Sequence, residues 1–327
     1  MDADDPTFQS QRSSRALANG LSRRNIRSTS WLHPYHGVVR AANLELDPTD
    51  LRLSDAIALM RQGYVLGGWA SLRSQGNHWF SGRGRNECDR EVLIHCLGGA
   101  QLRVRRGLIP CRGLLLADEF MRLENYDVST LARAAYDEMR LARELREAVV
   151  AFDMATSTTS NVSHTTPAAI HRVIDAHHKT PGLAQARRAV ALGSTRSASP
   201  WETRTRLLAQ LDADITQLRV NLPVFDLDQN FLGVADLIDE STGLVIEFDG
   251  ATHRELSRHT DDNRREEKFE RAGLVVSRVT VLDHRDRWET AARMRAAQRD
   301  ARSSPKRLWT LEKPDWWWTW PPARQWE

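Results

Sequence analysis

The clearest alternation of apolar and polar positions lies between residues 218 and 250. Leu218 to Phe225 reads as an extended run, and Asp228-Gln-Asn230 turns it into Phe231-Leu-Gly-Val-Ala-Asp-Leu-Ile238. Ser241-Thr-Gly243 turns that in its place into Leu244-Val-Ile-Glu-Phe-Asp249. Side chains on a strand alternate between faces, so Leu244, Ile246 and Phe248 are expected to enter the core, with Val245, Glu247 and Asp249 on the other face. A helix opens at Ser199-Pro-Trp-Glu202, a charged helix covers about 262 to 272, Leu274 to Thr280 is a strand, and 285 to 299 is the last helix. The predicted order is therefore helix, three strands, helix, strand, helix.

Upstream the pattern is weaker. Residues 1–14 are polar and read as disordered. Two short helices broken by Gly20, then an extended segment turning at Gly37, suit a small winged-helix-like unit over 15–45, with Arg23, Arg24 and Arg27 together on the second helix. A solvated basic face on a helical hairpin is the plainer alternative. In the α+β middle region, 46–154, a helix over 54–63 is expected with Ser54 as its cap. Short apolar runs at 92–97, 102–104 and 113–116 predict a small sheet. Leu131 to Met154 reads as one amphipathic helix whose Arg and Glu residues form a solvated face. A helical linker region over 155–195 carries helices at 167–178 and 181–192, and a nuclease-like domain is assigned to 196–302. The tail, 303–327, holds six of the eleven tryptophans and is expected to pack back on the protein or on a partner, with a base-stacking surface as the alternative. The fold class is thus α/β multidomain.

Composition changes this picture little. An apolar fraction of 41% and a charged fraction of 27% are ordinary for a soluble globular chain. No apolar run reaches membrane-spanning length and no secretory h-region opens the chain, so a cytoplasmic location without a membrane partner is expected. The net charge of +3, mostly arginine, permits nucleic-acid binding without arguing for it. Cys88, Cys96 and Cys111 lack C-x-x-C spacing and read as reduced, mostly buried thiols.

The chemistry gathers on the three carboxylates Asp236, Glu247 and Asp249. If the two strands pair antiparallel across the 241–243 turn, Asp236 lies near Glu247. An acid inside an apolar strand costs stability unless something pairs it, and a divalent cation supplies that pairing. Such an ion activates water and stabilises charge on a scissile phosphate. Gly250 leaves room for a phosphate backbone, and His253 is placed to touch the phosphate or move a proton. Glu202 has a second explanation, because Ser199, Pro200 and Glu202 fit a capping box.

Asp236, Glu247-Phe-Asp-Gly250, His253, Asp262-x-x-Arg265 and Gly273-Leu-Val-Val-Ser-Arg278-Val-Thr280, preceded by Ser199-Pro-x-Glu-x-Arg204, resemble the very-short-patch-repair-like endonuclease branch of the PD-(D/E)XK superfamily. The resemblance implies a restriction-endonuclease-like domain with a mixed sheet. It also implies an Mg²⁺- or Mn²⁺-dependent endodeoxyribonuclease with metal at Asp236, Glu247 and Asp249, and with Glu202, His253 and Arg265 in the catalytic set. Where the superfamily signature ends in Lys, this chain has Asp249, so the positive charge falls to Arg264, Arg265, Lys268 or Arg278; Arg264, Lys268 and Arg278 are also DNA-contact candidates. Through the Gly20-Leu-Ser22 to Val39 segment and the Trp69-Ala-Ser-Leu72 stretch, the rest of the chain is more loosely similar to AbiEi-like type IV antitoxins. That implies the alternative of a DNA-binding regulator with a non-catalytic nuclease-like domain, or of a component whose partner is a protein of a defence or toxin–antitoxin system.

Overall fold

A computed structural model describes residues 10–250 and 256–319. The chain divides into two units, one made of 1–141 and 165–187, the other of 142–164 and 188–327.

In the first unit β1 (Gln11–Arg12), α1 (Ser13–Ala18), α2 (Arg23–Ile26), β2 (Trp31–Leu32) and β3 (Val38–Ala41) close on one another, the strands in the order β1-β3-β2. Ala16, Ile26 and Val39 form their small core. Ser22 caps α2 by accepting from Asn25 N at 3.1 Å, and Arg23, Arg24 and Arg27 are all exposed on or just after it. Residues 10–14 are ordered, against the expectation for 1–14: Ser10 Oγ donates to Asp55 Oδ1 at 2.6 Å and β1 pairs with β3. The expectation for 1–9 lies outside the described residues.

Next come α3 (Pro48–Ile57), β4 (Tyr64–Gly67), α4 (Gly68–Ser74), β5 (Val92–Cys96), β6 (Leu108–Cys111), β7 (Phe120–Leu123), β8 (Tyr126–Ser129) and α5 (Leu131–Leu141). Three expectations are corrected here. The helix begins at Pro48 under an Asp47 cap that accepts from Thr49 N at 2.7 Å, so Ser54 is inside it and buried. Of the runs at 102–104 and 113–116 neither forms a strand; the sheet order is β6-β5-β4-β8-β7, with β5–β6 and β4–β8 parallel. Val104 and Leu114 are exposed, so those runs hold no continuous buried face. The thiols are also more open than expected, since Cys88 is exposed and Cys96 and Cys111 are half-buried.

Beyond α5 lie α6 (Leu145–Thr156), in the second unit, α7 (Pro167–Ala176), in the first, and α8 (Leu183–Leu192), which spans the step from one to the other. The single helix expected over 131–154 is therefore two, separated at 142–144, where Glu144 is extended with φ −144°. Nor do all of its charged residues form a solvated face. Arg133, Asp137 and Glu138 are buried because partners distant in sequence meet them: Glu119 and His95 for the first two, Trp69 N and Arg90 for Glu138.

The rest of the second unit is α9 (Pro200–Leu211), β9 (Leu218–Asp226), β10 (Phe231–Asp239), β11 (Leu244–Asp249), α10 (Leu256–Arg271), β12 (Val275–Thr280), α11 (Arg287–Ser303) and β13 (Trp309–Thr310). The sheet runs β12-β11-β10-β9-β13, with β11–β12 parallel and the other pairs antiparallel. Leu208, Ile215, Leu237, Leu244, Ile246 and Met294 make a core on one face, under α9 and α11. On the other, Ile238, Val245, Phe269 and Leu274 pack under α10. Both faces of β11 are thus covered, including the Val245 side. Six-residue β11 runs through a two-sided layer in which a carboxylate has little water. The tail returns to this unit: Trp309 is buried on β9 as an edge-strand residue, and Trp317 is buried against Phe225 and Phe231. No helix among the described residues is long and apolar enough to cross a membrane.

Candidate functional site

The β10–β11 hairpin sets the site. Asp239 accepts from Gly243 N through its carbonyl at 2.8 Å and from Ser241 Oγ and Thr242 Oγ1 through its carboxylate, which closes the turn at a fixed register. Pairing runs Asp239↔Leu244, Ile238↔Val245 and Leu237↔Ile246, and one further step sets Asp236 opposite Glu247. Cross-strand partners share a face, so the two acids point together toward α10. Asp236 Oδ2 also accepts from Phe248 N at 3.0 Å.

Glu247 is 5% exposed. Its Oε2 accepts from Arg265 Nη2 at 3.1 Å, while Oε1 is buried with no hydrogen-bond partner among the described residues. Burial pushes the carboxyl above its ordinary value. The Arg265 charge opposes that, Asp236 adds to it, and Arg278 opposes it more weakly. Burial wins, leaving a carboxylate whose negative charge is under-compensated.

Arg265 reaches this place because β10 has no side chain at Gly233. A Cβ there would meet Arg265 Cγ at 2.7 Å and Cδ at 2.8 Å. Gly233 is a position of close approach that the sequence reading missed, although a glycine inside an apolar strand is a known mark of it. Arg278 is the β12 neighbour of Glu247 in register, yet its guanidinium pairs with Glu266 of α10. Arg264 and Lys268 lie exposed one helical turn apart on α10. Among the four candidates for the missing positive charge, Arg265 is hydrogen-bonded to the strand acid Glu247.

Asp249, half-buried at the end of β11, pairs in register with Thr280. Glu202 is held elsewhere. Its Oε2 accepts from Ala198 N at 2.8 Å and from Asn221 Nδ2 at 2.7 Å, while Ser199 Oγ accepts from Glu202 N at 3.2 Å. Ser199 thus caps the helix as expected, but the Glu202 carboxylate meets the backbone one residue before the cap instead of closing a box on Ser199 N, and it adds a strand contact. Burial raises the Glu202 carboxyl, and those hydrogen bonds pull against it. Asn221 has φ 47° inside β9, between the pairs Val220↔Leu237 and Leu222↔Ala235, so it stands level with Asp236. Left-handed backbone in mid-strand is tolerated best by Asn among side-chain-bearing residues, and an Asn within Val220-Asn221-Leu222 was the available signal. Trp201 stacks on Phe248 at 5.5 Å with an interplanar angle of 4°, and His284 flanks both, supporting the end of β11 from the α9 side. His253 and the side chain of Asp262 lie outside the described residues.

The described residues hold no cluster of three or more His, Cys, Asp or Glu side chains at metal-binding spacing. What they offer is a pair of adjacent carboxylates with one buried oxygen lacking a partner, an arrangement that fits a hard cation completed by water or phosphate oxygens. No protein-family model, no curated protein and no solved structure matches the chain.

Proposed function

We propose that the second unit is a divalent-metal-dependent endonuclease acting on DNA. The observation that carries this reading is the buried, partnerless Oε1 of Glu247 beside Asp236 on a shared sheet face. The helix–three strands–helix–strand–helix order, with β11 and β12 parallel, supports it as the arrangement implied by the resemblance drawn from the sequence.

Asp236 and Glu247 are the residues to hold Mg²⁺ or Mn²⁺, with Asp249 supporting them from the strand end. Held there, such an ion would supply a water of lowered pKa and positive charge to the phosphate. Arg265 opposes the effect of burial on Glu247 and supplies the positive charge that the signature Lys would otherwise bring. Exposed Arg264 and Lys268 on α10 are suited to phosphate oxygens, as are Arg23, Arg24 and Arg27 in the first unit. Glu202 and Asn221 hold β9 against the start of α9, a positioning role.

One observation favours a second reading. Arg265 already occupies Oε2 of Glu247, as an internal counter-ion would in a DNA-binding regulator of antitoxin type that has lost cleavage. Nicking of supercoiled DNA in Mg²⁺ or Mn²⁺ separates the two. The endonuclease reading expects nicking by the wild type and none by Asp236→Ala with Glu247→Ala. Equal cleavage by both proteins rejects the site, and DNA binding with no cleavage by the wild type favours the regulator.

A further inference from the structure

A thiol, an imidazole and a carboxylate are neighbours in the first unit, in a group that the nuclease reading does not use. The parallel pairing of β5 with β6 sets His95 beside Cys111, the last residue of edge strand β6. His95 is completely buried, and its Nε2 lies 2.9 Å from Asp137 Oδ2. Asp137 is itself fully buried and accepts from Arg133 Nε at 3.1 Å and Arg140 Nε at 2.8 Å. This fixes the imidazole and leaves Nδ1 as a buried nitrogen without a well-formed hydrogen bond. Cys111 is the residue that stands beside His95 in register on the neighbouring strand. Arg140 Nη2 also approaches Cys111 Sγ, at 3.8 Å.

Charge follows geometry. Burial disfavours the His95 cation, but the Asp137 carboxylate outweighs it and raises the imidazole above its ordinary value. Burial likewise pushes the Cys111 thiol up, and the neighbouring His95 outweighs it, bringing the thiol down to about 7. Cys96, on the neighbouring strand, goes the other way, raised by burial. Cys88 is exposed. Cys111 remains half-buried, so solvent reaches it.

We propose that Cys111, oriented by His95 and Asp137 and approached by Arg140, is a nucleophilic thiolate and a modification site for hydroperoxides. The thiolate sulfur attacks the terminal peroxide oxygen; an S–O bond forms and the O–O bond breaks. The departing oxygen takes a proton from the His95 imidazolium and leaves as water or an alcohol. Sulfur loses two electrons to become a sulfenic acid, and the peroxide gains them. Asp137 is a positioning residue that holds the imidazole and its charge.

The test treats the full chain with hydrogen peroxide at pH 7, traps sulfenic acid with dimedone, and maps the adduct on each cysteine by mass spectrometry. Since thiolate fraction sets the rate, Cys111 should carry about tenfold more adduct than the more exposed Cys88. His95→Asn should remove the preference while Cys88 labels as before. Labelling that follows exposure, with Cys88 ahead of Cys111, overturns the proposal in the wild type alone, whether or not the variant folds. Labelling of Cys111 that is unchanged in a folded His95→Asn protein overturns it equally.

Discussion

Two buried acids of the second unit, Asp153 on α6 and Glu247 on β11, have opposite surroundings. Asp153 is fully buried and accepts from Ser194 N at 2.7 Å and from Ser197 Oγ, Thr203 Oγ1 and Arg206 Nη2, each at 2.8 Å. Both its oxygens are satisfied, and it joins α6, the segment before α9, and α9 itself. Glu247 is nearly as buried, yet one oxygen takes a single arginine and the other takes nothing among the described residues. Buried polar groups are normally paired, so a native exception calls for a reason. Asp153 has the surroundings of a structural acid. Glu247 lacks them, and the proposed metal site rests on that difference.

The largest effect should come from breaking the satisfied member. Asp153→Ala strands the Arg206 guanidinium, which is 2% exposed, together with the donors that met the carboxylate. Urea denaturation should show a loss of about 3–5 kcal/mol. A loss below about 1 kcal/mol would put Asp153 among the weakly coupled acids and dissolve the contrast.

Arg265→Ala should cost less, about 1–3 kcal/mol, because Arg265 is partly exposed and makes one charged hydrogen bond to the acid. It should also raise the apparent pKa of Glu247 further, measurable by carboxyl-carbon NMR. A downward movement would mean that Arg265 is not the principal opposing charge.

Glu247→Gln should have the smallest effect and the opposite sign, stabilising the metal-free protein by about 1 kcal/mol at neutral pH. The pH dependence follows from the raised carboxyl. The folded form favours the protonated acid, so that contribution is complete below the unfolded value near 4.5 and is lost as pH rises through the folded value. Glutamine keeps it at every pH. The gap between variant and wild type should therefore open upward from about pH 4.5, and a gap that opens downward would contradict the assignment.

How much of this was legible in the sequence depended on how far apart the partners lie. The β10–β11 hairpin was readable because its turn and alternation are local, and the pleat alone put Glu247 with Asp249 and opposite Asp236. Ser199 and Glu202 were readable as a helix start for the same reason. The seat of Arg265 across Gly233 was not, because it joins positions 32 apart through a sheet and a helix. Arg133, Asp137 and Glu138 were misjudged as a solvated face because helical periodicity reports charge, not who arrives to meet it; Trp69 N meets Glu138 from 69 residues away. Val245 was placed on the face opposite the core because a strand's alternation cannot say whether one or two layers cover it. The chain break at 142–144 has no Gly or Pro to announce it.

The most direct test of the acid pair is a calorimetric titration of the metal-free full chain with Mn²⁺, on the wild type and on Glu247→Gln. The account predicts one saturable site in the wild type and at least tenfold weaker binding in the variant, since a neutral amide oxygen replaces a charged ligand. Equal binding by the two proteins, or none by the wild type at millimolar Mn²⁺, would contradict it.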